Sequence, residues 1–458
     1  MSGEATLSLS LGLPIPITPG QVDLTSGFAQ RESSQRLLNT AGIRPAPQKS
    51  QRPGLTSVRG AELIEYAGDS HLMTIAPTGA GKGRSVIIPN LLTYPGPIIV
   101  VDPKGENYAV TARRRREMGQ RVIRLDPFGV IDGNSDGLNP MDIFDLLNMD
   151  IETDSQMLAE MLSIGNRGVK DPFWDLNACG LISGLMAHVA LTKAQPERNF
   201  SALRQFLMAD DVVYKLAVLL DTQGKTMNRM AYEEIASFLQ MSERDTRPGV
   251  LATAHSYMKA FLSKAVDKAL EKSSFTLADV VAGEPLSIYI IIPPDKLLSH
   301  RALLKLWVGT LLKAVTSRKT IPQQRTLFLL DECGQLGNFP YLESVITLCR
   351  GYGLQVWSFW QDMSQIKKLY EMSWSTMVNN CAVLQIFGAK NYVVANEFAQ
   401  LVGADANEIR GVGSDEQVLV INGEDPIRAY RLDYLTDARY KGMYDVNPLY
   451  AGNAPRGL

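Results

Sequence analysis

The chain has 458 residues, of which 45% are hydrophobic and 21% are charged, and its formal net charge at pH 7 is −2. This length exceeds what one hydrophobic core normally supports, so we expect two or more domains. The near-zero charge excludes a uniformly basic nucleic-acid coat, so any contact with nucleic acid has to come from local patches. No run of about 20 apolar residues occurs, and no membrane-spanning helix is predicted.

Cysteine usage points to a reducing compartment. Cys179, Cys333, Cys349 and Cys381 show no metal-ligand spacing, and we expect no disulfide between Cys333 and Cys349. This pattern favours a cytoplasmic setting.

The first 54 residues differ in composition from the rest, since they are rich in Ser, Thr, Pro, Gly and Gln. We predict that residues 1–54 form a mobile N-terminal tail that can serve as a docking peptide. The alternative is a strand or arm laid on the main domain.

Alternating strands and helices begin at Leu72. The predicted elements are a strand at 72–75, a helix at 82–92, a strand at 97–101, a helix at 108–118 and a strand at 121–125. The apolar run at 97–101 is typical of a strand covered on both faces. This order predicts a parallel sheet.

The middle of the chain changes to helical spacing, from about Asp154 to Lys272. Apolar residues between Met258 and Leu270 recur at the spacing of one helix face, which predicts a single helix there. Alternation then resumes. Strands are predicted at 286–292, 326–330, 354–359 and 382–387, with a helix at 301–315.

The simplest organisation is one α/β domain interrupted by an all-α insertion. We therefore predict an α/β nucleotide-binding domain made of residues 55–175 and 277–445. The all-α insertion domain covers 176–276 and the C-terminal tail covers 446–458.

A glycine-rich segment between the first strand and helix predicts a phosphate-binding loop. Its predicted nucleotide-binding residues are Pro77, Thr78, Gly79, Ala80, Gly81, Lys82, Gly83 and Arg84. Backbone N–H groups of such a loop and the following helix N-terminus face phosphate oxygens, and the lysine contacts the β- and γ-phosphates. The strict pattern has glycine where Ala76 lies and a hydroxyl residue where Gly83 lies. Without that hydroxyl, Mg²⁺ depends more on water and on Asp331.

Two carboxylates, Asp331 and Glu332, follow the apolar run 327–330, about 250 residues after the loop. An Asp at a strand's carboxyl end can hold the water shell of Mg²⁺, and the adjacent Glu can polarise the attacking water. The alternative is a pair of solvated turn carboxylates. We expect Lys82 and this pair to share one bound ATP at the same sheet edge.

Other polar residues have weaker signals. Gln361 follows the strand at 354–360 and can sense the γ-phosphate, or be an ordinary polar loop residue. Asp102 and Glu106 lie after another strand, where they can orient water, metal or a neighbouring subunit, or form a structural turn. Arg350 can reach a phosphate bound by an adjacent subunit, or complete a helix C-terminus. The four arginines at 113–116 form either a solvated helix face or a surface for a DNA backbone or membrane.

Taken in order, these segments resemble the coupling proteins of type IV secretion systems, the TraG/TraD-like conjugation ATPases. The matching segments are 76–83, Val-Asp-Pro-Lys-Gly-Glu at 101–106, Leu-Asn-Pro-Met-Asp at 138–142, Pro-Phe-Trp at 172–174, Leu-Leu-Asp-Glu at 329–332, Leu-Gly at 336–337, Arg-Gly-Tyr-Gly at 350–353, Gln361 and Gln-Ile at 365–366. They cover about residues 60 to 400. That family also tolerates Gly after the loop lysine.

The resemblance implies a RecA-like P-loop NTPase with a mostly parallel sheet and an all-α insertion, assembled as a homo-hexamer around a channel. It implies Arg350 as an arginine finger, with ATP and Mg²⁺ as cofactors. Implied partners are a relaxase or secreted protein, single-stranded DNA and the secretion channel, at the bacterial inner membrane. Family members usually begin with transmembrane helices. This chain is then of a membrane-free branch, is anchored by a separate membrane subunit, or has been shortened.

Three functions remain open from the sequence. The first is an ATP-hydrolysing coupling protein for conjugative DNA transfer or type IV secretion. The second is a translocase that moves along duplex DNA, although no winged-helix or basic C-terminal module is visible. The third, motivated by Gly83, is a nucleotide-gated docking scaffold that hydrolyses ATP slowly.

Overall fold

The computed structural model describes residues 8–14, 55–56, 63–147, 149–163 and 172–453. Its strands are β1 (Leu9–Pro14), β2 (Leu55–Thr56), β3 (Ile64–Tyr66), β4 (His71–Ile75), β5 (Ile98–Val101), β6 (Arg121–Leu125), β7 (Leu286–Ile290), β8 (Thr326–Leu330), β9 (Leu354–Trp360), β10 (Cys381–Ile386), β11 (Glu416–Ile421) and β12 (Ile427–Tyr430).

The α-helices are α1 (Ile88–Thr93), α2 (Glu106–Glu117), α3 (Ile151–Leu162), α4 (Phe173–Thr192), α5 (Phe200–Leu207), α6 (Val212–Gln223), α7 (Arg229–Gln240), α8 (Arg247–Met258), α9 (Lys264–Glu271), α10 (Leu277–Ala282), α11 (Pro294–Leu297), α12 (Arg301–Thr316), α13 (Pro340–Leu348), α14 (Met363–Leu369), α15 (Trp374–Asn379), α16 (Tyr392–Val402) and α17 (Ala406–Arg410). A π-helical turn, Gly83–Ile87, leads into α1.

The described strands form one sheet in the order β2-β3-β1-β12-β11-β10-β4-β9-β8-β5-β7-β6. The strands from β10 to β6 are parallel, and those from β2 to β11 pair antiparallel. The central strands β4, β5, β8 and β9 are buried throughout, as expected when helices cover both faces. The predicted mostly parallel sheet is therefore confirmed.

The prediction of a mobile tail is wrong for residues 8–14. Strand β1 pairs with both β3 and β12, and Leu9 and Leu11 are each only 1% exposed. The side-chain amide of Asn90, on α1, exchanges two hydrogen bonds with the backbone of Ser10. Residues 9–14 therefore form a strand in the antiparallel part of the sheet, with Leu9 and Leu11 in the core. The composition of the segment did not predict this strand. The rest of the predicted tail, residues 1–7 and 15–54, lies outside the described residues.

Between β6 and β7 the described chain is helical, in agreement with an all-α insertion. The predicted single helix through 258–270 is wrong, because α8 ends at Met258 and α9 starts at Lys264. A 3-10 turn, Lys259–Phe261, and an extended Ser263 separate them. Val266, Ala269 and Leu270 are still buried, so the apolar face exists but changes direction at the break.

The four arginines at 113–116 lie on α2 and differ in exposure, from the buried Arg115 to the exposed Arg116, so neither proposed surface role describes all of them. Arg115 is completely buried and donates to the carbonyl oxygens of Leu91, Tyr94 and Gly96. Arg113 forms ion pairs with Glu117 and Asp445. The spacing of the run alone did not indicate that one member faces the core.

His71 begins β4 and gives the fold a dependence on pH. Its side chain is 1% exposed, its Nδ1 accepts a hydrogen bond from the Val356 N–H (3.1 Å), and burial lowers its pKa to about 4. Between pH 4 and 6.5 His71 binds a proton in the unfolded chain but not in the folded one. Protonation therefore favours the unfolded chain, and the free energy of unfolding falls as the pH falls through this range. We expect wild type to lose about 2 kcal/mol more than His71→Asn between pH 7 and pH 5. Urea titrations at both pH values measure the difference, and parallel losses would contradict it.

Candidate nucleotide site

The predicted site residues follow strands that end at the same edge of the sheet. Ile75 pairs with Trp360, Leu330 with Ser358, and Val101 with Leu330. The phosphate loop, Gln361, Asp331 and Asp102 therefore all leave the sheet at its carboxyl edge. This is where parallel α/β sheets bind ligands.

The phosphate loop has the backbone that its glycines predict. Gly79 and Gly81 have φ values of 77° and 90°, which glycine adopts without steric cost. The Ala76 N–H bonds the Trp360 carbonyl oxygen (2.9 Å), which joins the start of the loop to the neighbouring strand. Gly83 opens the π-helical turn, and Ser85 beyond it is buried. The loop thus ends without the usual hydroxyl ligand for Mg²⁺.

The structure brings Lys82 into contact with Glu332, one of the two carboxylates. Lys82 Nζ lies 3.0 Å from Glu332 Oε1, and Gln361 Nε2 donates to Glu332 Oε2 at 2.7 Å. Lys82 Nζ also lies 3.5 Å from the Ala76 carbonyl oxygen, within the loop. Lysine, glutamate and glutamine, on three separate segments, therefore form one hydrogen-bonded group.

Glu332 is held in an unusual backbone conformation. Its φ of 56° is in the left-handed region, which is uncommon for residues other than glycine. The Gln361 N–H bonds the Gln365 side chain (3.1 Å), which fixes the turn that carries Gln361. Strained backbone of this kind clusters at functional sites, where surrounding contacts maintain it.

Asp331 has the character of a cation ligand. Its Oδ1 is buried and has no hydrogen-bond partner among the described residues. Burial raises the pKa of this carboxyl to about 6, the nearby Glu332 also raises it, and Lys82 opposes the shift. A buried carboxylate oxygen without a donor is costly unless a cation or water reaches it. The side chain therefore fits a role as a ligand to Mg²⁺ or its water shell.

Asp102 lies beside Asp331 at the end of β5. It is 1% exposed and accepts a hydrogen bond from the Tyr108 N–H (2.8 Å). Burial raises its pKa to about 7, and the charges of Asp331 and Glu106 add to the shift. The sequence left open whether this segment has a role at the site or forms a structural turn. The buried hydrogen bond from α2 gives Asp102 a structural role in the turn that precedes this helix.

Arg350 lies away from this group. It precedes β9, whereas Gln361 follows it, so about 20 Å of strand separates the two positions. Its guanidinium forms an ion pair with Asp69, before β4, and its side chain is 61% exposed. Arg350 therefore cannot serve the phosphate loop of its own chain, and its assignment as a finger for another subunit stays a prediction.

Two arginine contacts were missed from the sequence. Arg431, after β12, donates to the Ala80 carbonyl oxygen inside the phosphate loop, and Arg84 forms an ion pair with Asp433. The contacts join segments about 350 residues apart in the chain. No spacing rule connects these residues.

A cleft of about 790 Å³ lies elsewhere, between α3, α4, α7, α12 and α13. Its lining includes Glu160, Asp175, Glu234 and the buried Lys305. None of the described residues assigned above to nucleotide binding lines this cleft.

Comparison with known proteins decides the family. The sequence model of the protein family described as type IV secretory system conjugative DNA transfer matches residues 31–413. The chain belongs to this family. It is 25% identical over 359 residues to the conjugal transfer protein TraG of Escherichia coli, covering 74% of this chain and 56% of TraG. It is 24% identical over 413 residues to the coupling protein VirD4 of Bartonella quintana, covering 80% of this chain and 63% of VirD4. The chain thus spans about three fifths of these relatives' lengths.

Solved structures show the same fold for this family member. The plasmid coupling protein TrwB in complex with the ATP analogue ADPNP matches with a TM-score of 0.66 and 15% identity, covering 94% of this chain and 96% of that one. TrwB in complex with ADP and Mg²⁺ matches with a TM-score of 0.64 and 16% identity, with the same coverage. The predicted RecA-like P-loop NTPase fold and the resemblance to coupling proteins are both confirmed.

Within the residues that the structure describes, no helix combines the length and the apolar character needed to cross a membrane.

Proposed function

We propose that this protein is an ATP-hydrolysing coupling protein that passes substrates to a type IV secretion or conjugation channel. The observation that carries the proposal is the contact between Lys82, Glu332 and Gln361 at the carboxyl edge of the sheet. Family membership supports the transfer role, and the nucleotide complexes of TrwB support ATP as the ligand.

Lys82 and Glu332 form an ion pair, which a bound phosphate would have to replace. A phosphate that binds the Lys82 ammonium competes with Glu332 for its donors. Glu332 then faces the terminal phosphate as a carboxylate, which can accept a proton from attacking water. Gln361 Nε2 donates to the second carboxylate oxygen of Glu332 and so fixes the orientation of the carboxylate. Lys82 stabilises the charge that develops on the phosphoryl oxygens.

Mg²⁺ is the cofactor that this donor set fits, with Asp331 as its protein ligand. The unpartnered Asp331 Oδ1 supports this assignment. When bound, Mg²⁺ would neutralise charge on the phosphates. Because Gly83 supplies no hydroxyl group, water and the phosphate oxygens would have to provide the ligands that the protein does not.

The substrate and the assembly are part of the proposal. A relaxase bound to single-stranded DNA, or a secreted protein, is the cargo, and the working form is a homo-hexamer at the bacterial inner membrane. Components of the secretion channel complete the partners. Family membership and the TraG and VirD4 relatives support this assignment.

Mg²⁺-dependent ATP turnover of the purified chain, with and without single-stranded DNA, tests the function. We expect turnover that requires Mg²⁺ and rises with single-stranded DNA. Tight ATP binding with turnover that Mg²⁺ does not raise would instead favour the slow docking scaffold, which Gly83 motivates. Processive movement on long duplex DNA would favour the translocase.

Arg350 is predicted to act on the nucleotide of a neighbouring subunit. Its exposed position at the opposite sheet edge suits a contact across an interface. Arg350→Ala and Lys82→Ala should each lose most turnover, and a mixture of the two should regain part of it. Recovery is expected because some mixed interfaces combine an intact loop with an intact arginine. ATPase rates across mixing ratios measure this, and a mixture no more active than its components would refute action in trans.

A further inference from the structure

A segment after the last strand lies across the helices that follow the phosphate loop. Residues 431–445, here called the C-terminal strap, follow β12. Tyr434 and Tyr440 of the strap pack in one buried cluster with Ile88, Leu92 and Val110 of α1 and α2. The Asp445 N–H bonds the Val110 carbonyl oxygen at 2.9 Å. The strap is therefore anchored at its far end, and its first residues are held beside the loop.

The first residues of the strap contact the phosphate loop directly. The Arg431 guanidinium donates through Nη1 to the Ala80 carbonyl oxygen and lies 4.4 Å from the centroid of the Phe387 ring. Phe387 follows β10 and is bonded through its N–H to the Ile75 carbonyl oxygen (3.1 Å). Asp433, two residues after Arg431, forms an ion pair with Arg84 at the end of the loop. Arg431 thus rests on a ring fixed to the strand that leads into the loop.

The carbonyl that Arg431 holds belongs to a peptide group that is otherwise easily rotated. The orientation of this peptide depends in part on the φ of Gly81, and glycine adopts positive and negative φ about equally well. The trans peptide between Ala80 and Gly81 is planar, so its C=O and N–H point in opposite directions. Holding the Ala80 oxygen toward Arg431 therefore directs the Gly81 N–H away from it. Backbone N–H groups of such a loop are the phosphate donors.

We propose that Arg431 is a positioning residue of the nucleotide site, which holds the Ala80–Gly81 peptide in the orientation that receives phosphate. This inference rests on the proposed function, because it requires that the loop binds nucleotide phosphates. Arg431 acts through the loop backbone and needs no contact with the nucleotide. Pre-organisation of this kind raises affinity, because the loop need not be ordered when ligand binds.

Calorimetric binding of Mg²⁺·ADP and of Mg²⁺·tripolyphosphate to the full chain tests the proposal. Arg431→Ala should weaken both ligands by the same factor, about tenfold, since it loses one charge-assisted hydrogen bond to the loop. KM for ATP should rise similarly, while kcat changes less than about threefold. Arg431→Lys, which keeps a donor, should recover part of the affinity. Arg428→Ala is the matched control, because Arg428 lies on β12 and pairs with Glu416.

Each other outcome has a defined meaning. Wild-type affinity in Arg431→Ala, with Lys82→Ala unable to bind, overturns this inference and leaves the proposed site intact. Weakened ADP with unchanged tripolyphosphate also overturns it, since Arg431 would then contact the nucleoside. Normal binding by Lys82→Ala would instead overturn the site itself. If Arg431→Ala does not fold, Phe387→Leu removes the ring under the guanidinium and should weaken both ligands in the same direction.

Discussion

In Lys82→Ala, ATP turnover should fall at least about a hundredfold, and nucleotide affinity should fall with it. The lysine is the cation that faces the terminal phosphates, and its loss removes charge stabilisation in the transition state as well as binding. Glu332→Gln should bind ATP almost normally and also lose about a hundredfold or more in turnover. The amide oxygen can still accept from Lys82, and the NH2 group can donate to the Gln361 amide oxygen once that amide flips, but the side chain cannot take a proton from water.

Steady-state ATPase rates and calorimetric ATP affinities separate these two effects. Lys268→Ala, on the exposed face of α9, and Glu371→Gln, also exposed, are the charge-matched controls and should keep wild-type values. Undiminished turnover in both Lys82→Ala and Glu332→Gln would remove the assigned catalytic site. Turnover lost only in Lys82→Ala would leave the loop assignment standing and require a different base.

Arg115→Met should destabilise the fold by about 3 kcal/mol or more. The substitution keeps an apolar stem but leaves the carbonyl oxygens of Leu91 and Tyr94 without their buried donor, and each unpaired group costs about 1–3 kcal/mol. The Gly96 carbonyl oxygen keeps only the longer hydrogen bond from Gln120 Nε2, at 3.4 Å. Ser287 Oγ, which accepts from Arg115 Nε at 2.9 Å, loses this donor as well. The urea midpoint, followed by circular dichroism, should fall accordingly.

Arg116→Met, one residue along the same helix, is the matched control. Its side chain is exposed and donates one hydrogen bond, to the Tyr108 hydroxyl at 3.3 Å. Its effect should stay within about 0.5 kcal/mol, as is usual for surface substitutions. Equal midpoints for the two variants would show that the Arg115 contacts contribute little to stability.

The positions of the main catalytic candidates were predictable because they depend on a local pattern. An apolar run followed by polar residues marks the carboxyl end of a buried strand, and such ends meet at one edge of a parallel sheet. Asp331, Glu332 and Gln361 carry this signal, Lys82 is marked by the glycine-rich loop, and the structure brings Lys82, Glu332 and Gln361 into hydrogen-bond contact.

The misassigned residues depend on packing partners that are distant in the chain. Leu9 to Pro14 form a strand only because β3 and β12 flank them, and Arg115 is buried only because its helix covers the end of α1 and the residues after it, 91–96. Likewise, apolar residues recur at helical spacing through 258–270, so the sequence predicts one helix there. The chain breaks between α8 and α9 without interrupting this spacing.

Short-range periodicity and motif spacing were enough to predict the α/β class and the family resemblance, and to propose the phosphate loop and the acidic pair. Only the tertiary structure decided that Arg431 holds the loop, that Arg350 lies at the opposite edge, and that part of the N-terminus completes the sheet. The physical reason is that hydrogen bonds and ion pairs across hundreds of residues depend on strand order, which no local pattern encodes.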